Sequence, residues 1–349
     1  MSKAAELAAL IGSQTALSNR NFIINGAMQV AQRGTSTTSI TSDTYPACDR
    51  WHTQINSCGT WTASQSTTVP SGQGFTSSFK LECTTADASP AAGDYVLLNQ
   101  RIEAQNLQNL AFGTSSAKAI TLSFWIRSNK TGTIATEVYH HDASKHFNSN
   151  FTIDSADTWE HKKITIDGNT ADIINNDNGI GFLVYWWFAS GSSYNTSQST
   201  GTWNNTNANR ATTYNLADTV GNEVYVTGVQ LEIGEQATPF EHRPYADELA
   251  SCMRYYQTAV PSTGDVFGTR MLFGGHIVSG NNTFGTVFHI VPMRAAPTIT
   301  FNNLAFNGYP TGDPTLNGYG LTNFEVYKTA NANNNGSYYL FGYEANAEL

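Results

Sequence analysis

Alternation of apolar and polar positions dominates the chain between residues 78 and 233. Ser78-Phe-Lys-Leu-Glu-Cys alternates cleanly, and Ala119-Ile-Thr-Leu-Ser-Phe-Trp-Ile-Arg-Ser puts Ile120, Leu122, Phe124 and Ile126 on one side. Successive side chains of a strand point to opposite faces, so this pattern predicts half-buried strands. Further strands are predicted at 95–101, 134–140, 159–166, 181–188 and 224–233, separated by Gly, Asn, Asp and Ser turn residues. In the last of them Tyr225, Thr227, Val229, Leu231 and Ile233 are expected on one face, with Gln230 and Glu232 on the other. Many short alternating strands of this kind predict an all-β, antiparallel jelly-roll β-sandwich. A repeat of 20–50 residues, which would mark a solenoid, does not occur.

Helical periodicity appears twice. Residues 2–17 read as a short helix capped by Ser2, with Leu7, Leu10 and Ile11 on one stripe. A helix this short is marginal by itself. It is expected to dock on a partner or on sister copies around an axis, or else to lie on its own domain. Pro244 opens the second helix, with Asp247 and Glu248 in its first turn where the dipole favours acid. Leu249, Cys252, Met253 and Tyr256 form its apolar stripe. Beyond residue 260 charge becomes scarcer, and strands are predicted at 271–277, 283–291, 298–301, 323–327 and 337–343. The expected organisation is an N-terminal helix over 1–18 and a jelly roll over 19–243, beginning with a strand at 22–30 broken at Asn25-Gly26. A linker helix over 244–257 and a second, smaller C-terminal β domain over 258–349 complete it.

Composition narrows the function. Only 13% of residues are charged while 12% are aromatic, a balance that suits a β-rich core and a surface contacting neutral polymers. The net charge is −9, and the longest basic run is Lys162-Lys163, so a nucleic-acid partner has no electrostatic footprint. No segment has the pattern of a signal peptide or the length of a membrane span. Assembly into a particle inside a host cell, followed by lysis, reconciles that with an extracellular texture. Cys48, Cys58, Cys83 and Cys252 form no CxxC pair and read mostly as buried free thiols, with a Cys48–Cys58 bridge as the alternative.

Candidate chemistry is sparse. His140-His141-Asp142, with His146 nearby, lacks a third ligand at metal spacing, and neighbouring strand residues face opposite sides. No nucleophile elbow, zinc-protease, phosphate-loop or EF-hand pattern occurs. Phe182-Leu-Val-Tyr-Trp-Trp-Phe is apolar on both faces. One face is core; the other, with Leu183, Tyr185 and Trp187, is covered by a loop, buried in a subunit interface, or used to stack on sugar rings. The long polar loop that follows carries Tyr194, Trp203 and Tyr214. Carbohydrate binding is therefore expected at Trp187, Tyr194, Trp203 and Tyr214.

The ordered motifs resemble a known family. Phe22-Ile-Ile-Asn-Gly-Ala-Met-Gln-Val-Ala-Gln-Arg-Gly resembles the opening strand of bacteriophage tail-fibre-like proteins. Asp49-Arg-Trp, Leu122-Ser-Phe-Trp-Ile-Arg-Ser and residues 227–245 follow in the same order. Cys252-Met-Arg-Tyr-Tyr and Pro292-Met-Arg-Ala-Ala-Pro-Thr-Ile match the downstream part, so the resemblance spans most of the chain. It implies a carbohydrate-binding-module-like jelly roll and a distal β domain in a homotrimeric virion fibre, and the distal domain over 258–349, together with the aromatic loops, is expected to contact the receptor. Such a fibre would be held to tail or capsid proteins through its N-terminus, with Leu7, Leu10 and Ile11 as attachment or trimer-packing residues. The implied partner is host surface polysaccharide or lipopolysaccharide. Localisation would be the virion, without membrane insertion. The family fixes no catalytic residue and no cofactor; a structural Ca²⁺ of the kind found in jelly rolls has no identifiable ligand set here. The alternatives are a purely structural capsid or connecting fibre and a glycan-cleaving enzyme.

Overall fold

The computed structural model describes residues 19–194, 200–205, 214–259, 271–331 and 333–349. The predicted N-terminal helix, with Leu7, Leu10 and Ile11, lies outside the described residues. The chain divides into two compact units, residues 1–248 and 249–349.

The first unit is a sandwich of two antiparallel six-stranded sheets. In spatial order, the first sheet comprises β1 (Ser36–Ile40), β3 (Thr60–Ser66), β4 (Ser78–Thr85), β12 (Glu223–Ile233), β6 (Ile120–Ser128) and β9 (Glu160–Ile166). The second comprises β11 (Trp203–Asn204), β8 (Lys145–Ile153), β7 (Gly132–His140), β10 (Ile180–Ser190), β5 (Tyr95–Glu103) and β2 (His52–Asn56). Strands adjacent in sequence repeatedly fall in different sheets, which is the jelly-roll signature of long crossovers. One hydrophobic core fills the space between the sheets. Trp51, Trp61, Phe79, Phe124, Phe182, Trp186 and Phe188 are all fully buried in it.

The alternation predicted for β12 holds only in its second half. Val224 and Val226 point into the core together with Val229 and Leu231, so Tyr225 and Thr227 face outward. The cause is a bulge: the pairing of β12 with β6 shifts register between Thr227 and Gln230, and Gly228 sits there at φ 60°. One extra residue reverses which parity faces inward. Tyr225 instead accepts the Lys80 and Arg127 cations over its ring, at 5.6 and 5.0 Å.

No regular strand forms over 22–30. Asparagine side chains replace ladder bonds there. Asn21 donates to the Val229 carbonyl and its Oδ1 accepts from the Ile23 and Leu231 amides. Asn25, at φ 57°, donates to the carbonyls of Val30 and Asp49 while accepting from the Val30 amide. The segment after β12 locks this insert from the other side. Glu241 accepts from the Asn21 amide at 3.0 Å, and Arg243 donates to the carbonyls of Asn21 and Ile23. The family-like stretch around Glu-His-Arg-Pro thus clasps the start of the described chain.

Helix α1 (Tyr245–Met253) begins after Pro244, whose carbonyl accepts from the Asp247 and Glu248 amides. It ends earlier than predicted, because Tyr256–Thr258 forms strand β13. In the second unit the long strand β19 (Asn334–Asn346) carries β16 (Thr298–Asn307) on one edge. Its other edge carries β13 and β14 (Met271–Ile277). A separate three-stranded sheet orders β15 (Asn282–Phe288), β18 (Asn323–Thr329) and β17 (Thr315–Tyr319). Phe324, Val326, Tyr339, Phe341 and Tyr343 centre its core. All four cysteines are buried free thiols.

Candidate glycan-binding cleft

The outward face of the second sheet of the sandwich is aromatic, as the double-sided apolar run in β10 requires. Phe182, Val184, Trp186 and Phe188 point into the core with no exposure. Tyr185 and Trp187 point the other way, and Trp187 forms a small separate cluster with Leu97 and Ala135. Register places their neighbours. Tyr185 pairs with Asn99 on β5 and Glu137 on β7, and Trp187 pairs with Leu97 and Ala135. On β8, His146 stands opposite Tyr139 and Asn148 opposite Glu137. On β2, Gln54 stands opposite Leu97.

These side chains enclose an open cleft of about 280 Å³ that crosses the strands from Gln54 to His146. Its aromatic wall is built from Tyr95, Tyr185, Trp187 and Tyr194. Trp187 lies 5.8 Å from Tyr95, 6.0 Å from Tyr185 and 5.6 Å from Tyr194, and Tyr95 meets Tyr194 edge-on at 5.5 Å. Tyr194 reaches the wall from a single 3-10 turn, Ser192–Tyr194. That turn is pinned by the Ser193 amide donating to Ala92 and the Tyr194 amide donating to Gly191. Gly191 is required at this point: a Cβ there would stand 1.8 Å from the Ala91 carbonyl oxygen.

The polar end is equally ordered. His146 bonds through Nδ1 to the Glu137 carboxylate, and its ring stacks on Tyr139 at 4.3 Å and 15°. Gln54 accepts from Asn99 at 3.0 Å and donates to Asp43. Burial, then the Asp43 carboxylate, raise the Tyr95 phenol above its ordinary value, so it stays a neutral donor. Along the same face, Oδ1 of Asn99, Oδ1 of Asn150 and both amide atoms of the buried Asn148 have no hydrogen-bond partner among the described residues. Among the described residues, Glu137 is the only carboxylate lining the cleft.

The structure brings together two of the four residues assigned from sequence, Trp187 and Tyr194, and sets the other two apart. Trp203 pairs with Phe147 on β8 and leans inward on Phe112 and Phe147, while its indole donates to the Asp167 carbonyl at 2.7 Å. Tyr214 is 6% exposed in the main core, with its hydroxyl 3.3 Å from Ser128. Both rings pack on the core and neither lines the cleft. Aromatic character alone does not separate anchors from platforms; strand parity does, and it would have selected Tyr95, Tyr139 and Tyr185. His140 is buried against Phe112 and Phe182, with its pKa lowered chiefly by burial, while His146 turns outward. Among the described residues no group of three His, Cys, Asp or Glu side chains is arranged to hold a metal ion. No described helix is long and apolar enough to cross a membrane.

No family model matches the chain, and no curated protein matches it. Several solved structures are similar at low identity. The enzymatically active domain of tailspike protein 4 from bacteriophage CBA120 matches with 13% identity and a TM-score of 0.33. That match covers 61% of this chain and 21%, about a fifth, of the tailspike chain. A carbohydrate-binding module, TmCBM61 in complex with β-1,4-galactotriose, matches with 11% identity and a TM-score of 0.31, covering 62% of this chain and all of the module. A family 11 carbohydrate-binding module from Clostridium thermocellum, in complex with a mixed-linked tetrasaccharide, matches with 12% identity and a TM-score of 0.28. It covers 59% of this chain and 99% of the module. Scores of this size carry no argument about function, which rests on the cleft itself.

Proposed function

We propose that this chain is a non-enzymatic virion fibre protein whose sandwich binds glycans of the bacterial surface in the cleft on its second sheet. The observation that carries the binding reading is the aromatic wall of Tyr95, Tyr185, Trp187 and Tyr194 beside the polar set of Gln54, Glu137 and His146. Sugar rings present an apolar face and hydroxyl edges, and the cleft offers a platform for the first and hydrogen-bonding groups for the second. It spans β8, β7, β10, β5 and β2, four strand spacings or ~19 Å, and is open along that length, so a chain of linked rings can lie across it with about one ring enclosed. Hydrolysis by the usual mechanism needs two carboxylates flanking the bond. Among the described residues the lining supplies Glu137 alone, already engaged by His146.

The fibre role rests on the sequence resemblance. In this reading residues 1–18 attach the chain to the particle, the chain assembles as a homotrimer, and weak single sites gain strength through multivalency. The second unit presents Phe284, Phe288 and Ile290, each more than half exposed, as a further contact surface. Screening the full chain against arrayed bacterial polysaccharides tests the reading. Binding lost on replacing Tyr185 and Trp187 with alanine is expected. Binding unchanged by that pair sinks it.

A further inference from the structure

The outer face of the first sheet carries a second cavity, of about 240 Å³, separated from the cleft by the hydrophobic core. Its floor is a cross-strand pair. Trp125 on β6 stands opposite His161 on β9, with their rings stacked at 4.9 Å and 20°. Its walls come from the segments before β4 and after β12, which hold each other. Phe75 meets Phe240 at 5.0 Å, Phe240 meets His242 at 4.9 Å, and His242 Nε2 donates 3.1 Å to the Gln73 carbonyl. Thr238 is fixed in turn by Glu232, which accepts from its amide and hydroxyl.

The bulge in β12 makes this arrangement possible. At φ 60°, Gly228 lets Phe75 lie directly on the strand; a Cβ would stand 2.5 Å from the Phe75 ring. A simple packing defect would not combine a bulge, a required glycine and two interlocked loops around an open slot. The lining is chemically selective as well. Aromatic rings form its floor and walls, while Ser123, Thr238 and two imidazoles supply hydrogen bonds. Among the described residues, no carboxylate, ammonium or guanidinium group lines it. Burial and the nearby Lys163 ammonium lower the pKa of His161, so its imidazole is neutral near pH 7.

A fitting ligand therefore has one apolar face, a hydroxyl-bearing edge and no charge. The volume lies below the ~300–1,000 Å³ of drug-sized ligand sites, which limits the occupant to about one ring. We propose that this cavity binds a single neutral pyranose, making the sandwich a two-faced glycan binder: an extended cleft on one sheet, a one-ring site on the other. Simultaneous engagement of two glycan strands by one domain would follow, with the gain in avidity that linked sites confer. The inference depends on its own residues and survives if the cleft proves to bind something else.

Indole amide resonances of the full-length protein provide the test, with the Trp125 signal assigned from Trp125→Phe among the seven tryptophans. The probes are the methyl glycosides of glucose, galactose, mannose and N-acetylglucosamine, added separately. A saturable shift of the Trp125 signal is expected with at least one, at a Kd on the order of 1–10 mM for a single ring with few hydrogen bonds. His161→Ala, at an exposed position, should weaken that response about tenfold while leaving any Trp187 response intact. Conversely, Trp187→Ala should leave the Trp125 response unchanged. A Trp125 signal unmoved by all four glycosides overturns the proposal, as does a response insensitive to His161→Ala. Loss of the Trp187 response alone would count against the cleft and not against this site.

Discussion

Replacing Tyr194 with alanine removes one platform of the cleft while leaving its scaffold in place. The turn that carries Tyr194 is held by backbone hydrogen bonds to Ala92 and Gly191, which the substitution does not touch. What is lost is a half-buried ring with edge and tilted contacts to Tyr95 and Trp187 at 5.5 and 5.6 Å. An enclosed tyrosine buries ~150–250 Å², so about half of that at ~25 cal/mol per Å² gives at most ~2–3 kcal/mol of stability. For a domain of this size the melting temperature should then fall by about 4–12 °C. A nucleobase stacked on an aromatic side chain contributes ~1–3 kcal/mol, and the apolar face of a sugar ring on Tyr194 is taken to be of the same order. Affinity for a bound polysaccharide should then drop about 5-fold to 150-fold. Differential scanning calorimetry and isothermal titration on the same preparations separate the two effects. A lowered melting temperature with unchanged affinity would show that Tyr194 is a packing residue and that the cleft is not the binding surface.

Gly228→Ala should destabilise the first unit by about 1–3 kcal/mol, because a Cβ at positive φ is strained and would also collide with Phe75; chemical denaturation reads this directly. His52 is buried, and burial followed by the Arg101 charge lowers its pKa to about 4. Its unfolded value is near 6.5, so the unfolded chain binds the extra proton first, and stability present above pH 6.5 is lost as pH falls towards 4. His52→Gln should flatten the dependence of melting temperature on pH across that window, and an unchanged slope would contradict the assignment. Burial raises the Cys48 thiol pKa and lifts that of Cys58 to about 12. Neither should react with a thiol reagent at neutral pH until the protein is unfolded, and reductant should leave the melting temperature unchanged.

Fold class was legible because strand alternation is local: β4, β6 and β10 appear in the sequence as they stand in the sheets. The errors arose where parity breaks or side chains substitute for backbone. Nothing in Tyr225-Val-Thr-Gly-Val-Gln announces whether Gly228 ends a strand or inserts a bulge, and that choice reverses the outward set. Asn21 and Asn25 form hydrogen bonds that only a distant strand can complete, so residues 22–30 imitate a strand without being one. For the cleft, the sequence exposed the double-sided apolar run of β10 and the candidate Tyr194. Glu137, His146 and Gln54 were out of reach, because a cleft across five strands is a property of register between segments far apart in the chain. Trp203 and Tyr214 misled for the opposite reason: a polar loop needs aromatic anchors to hold it against a core.

The most direct measurement of the central claim is equilibrium binding of the full chain to arrayed bacterial surface polysaccharides, wild type beside Tyr185→Ala/Trp187→Ala. The account predicts saturable binding of the wild type to at least one polysaccharide and its loss in the double variant, with the fold retained by circular dichroism. Binding of equal strength by both proteins would contradict it.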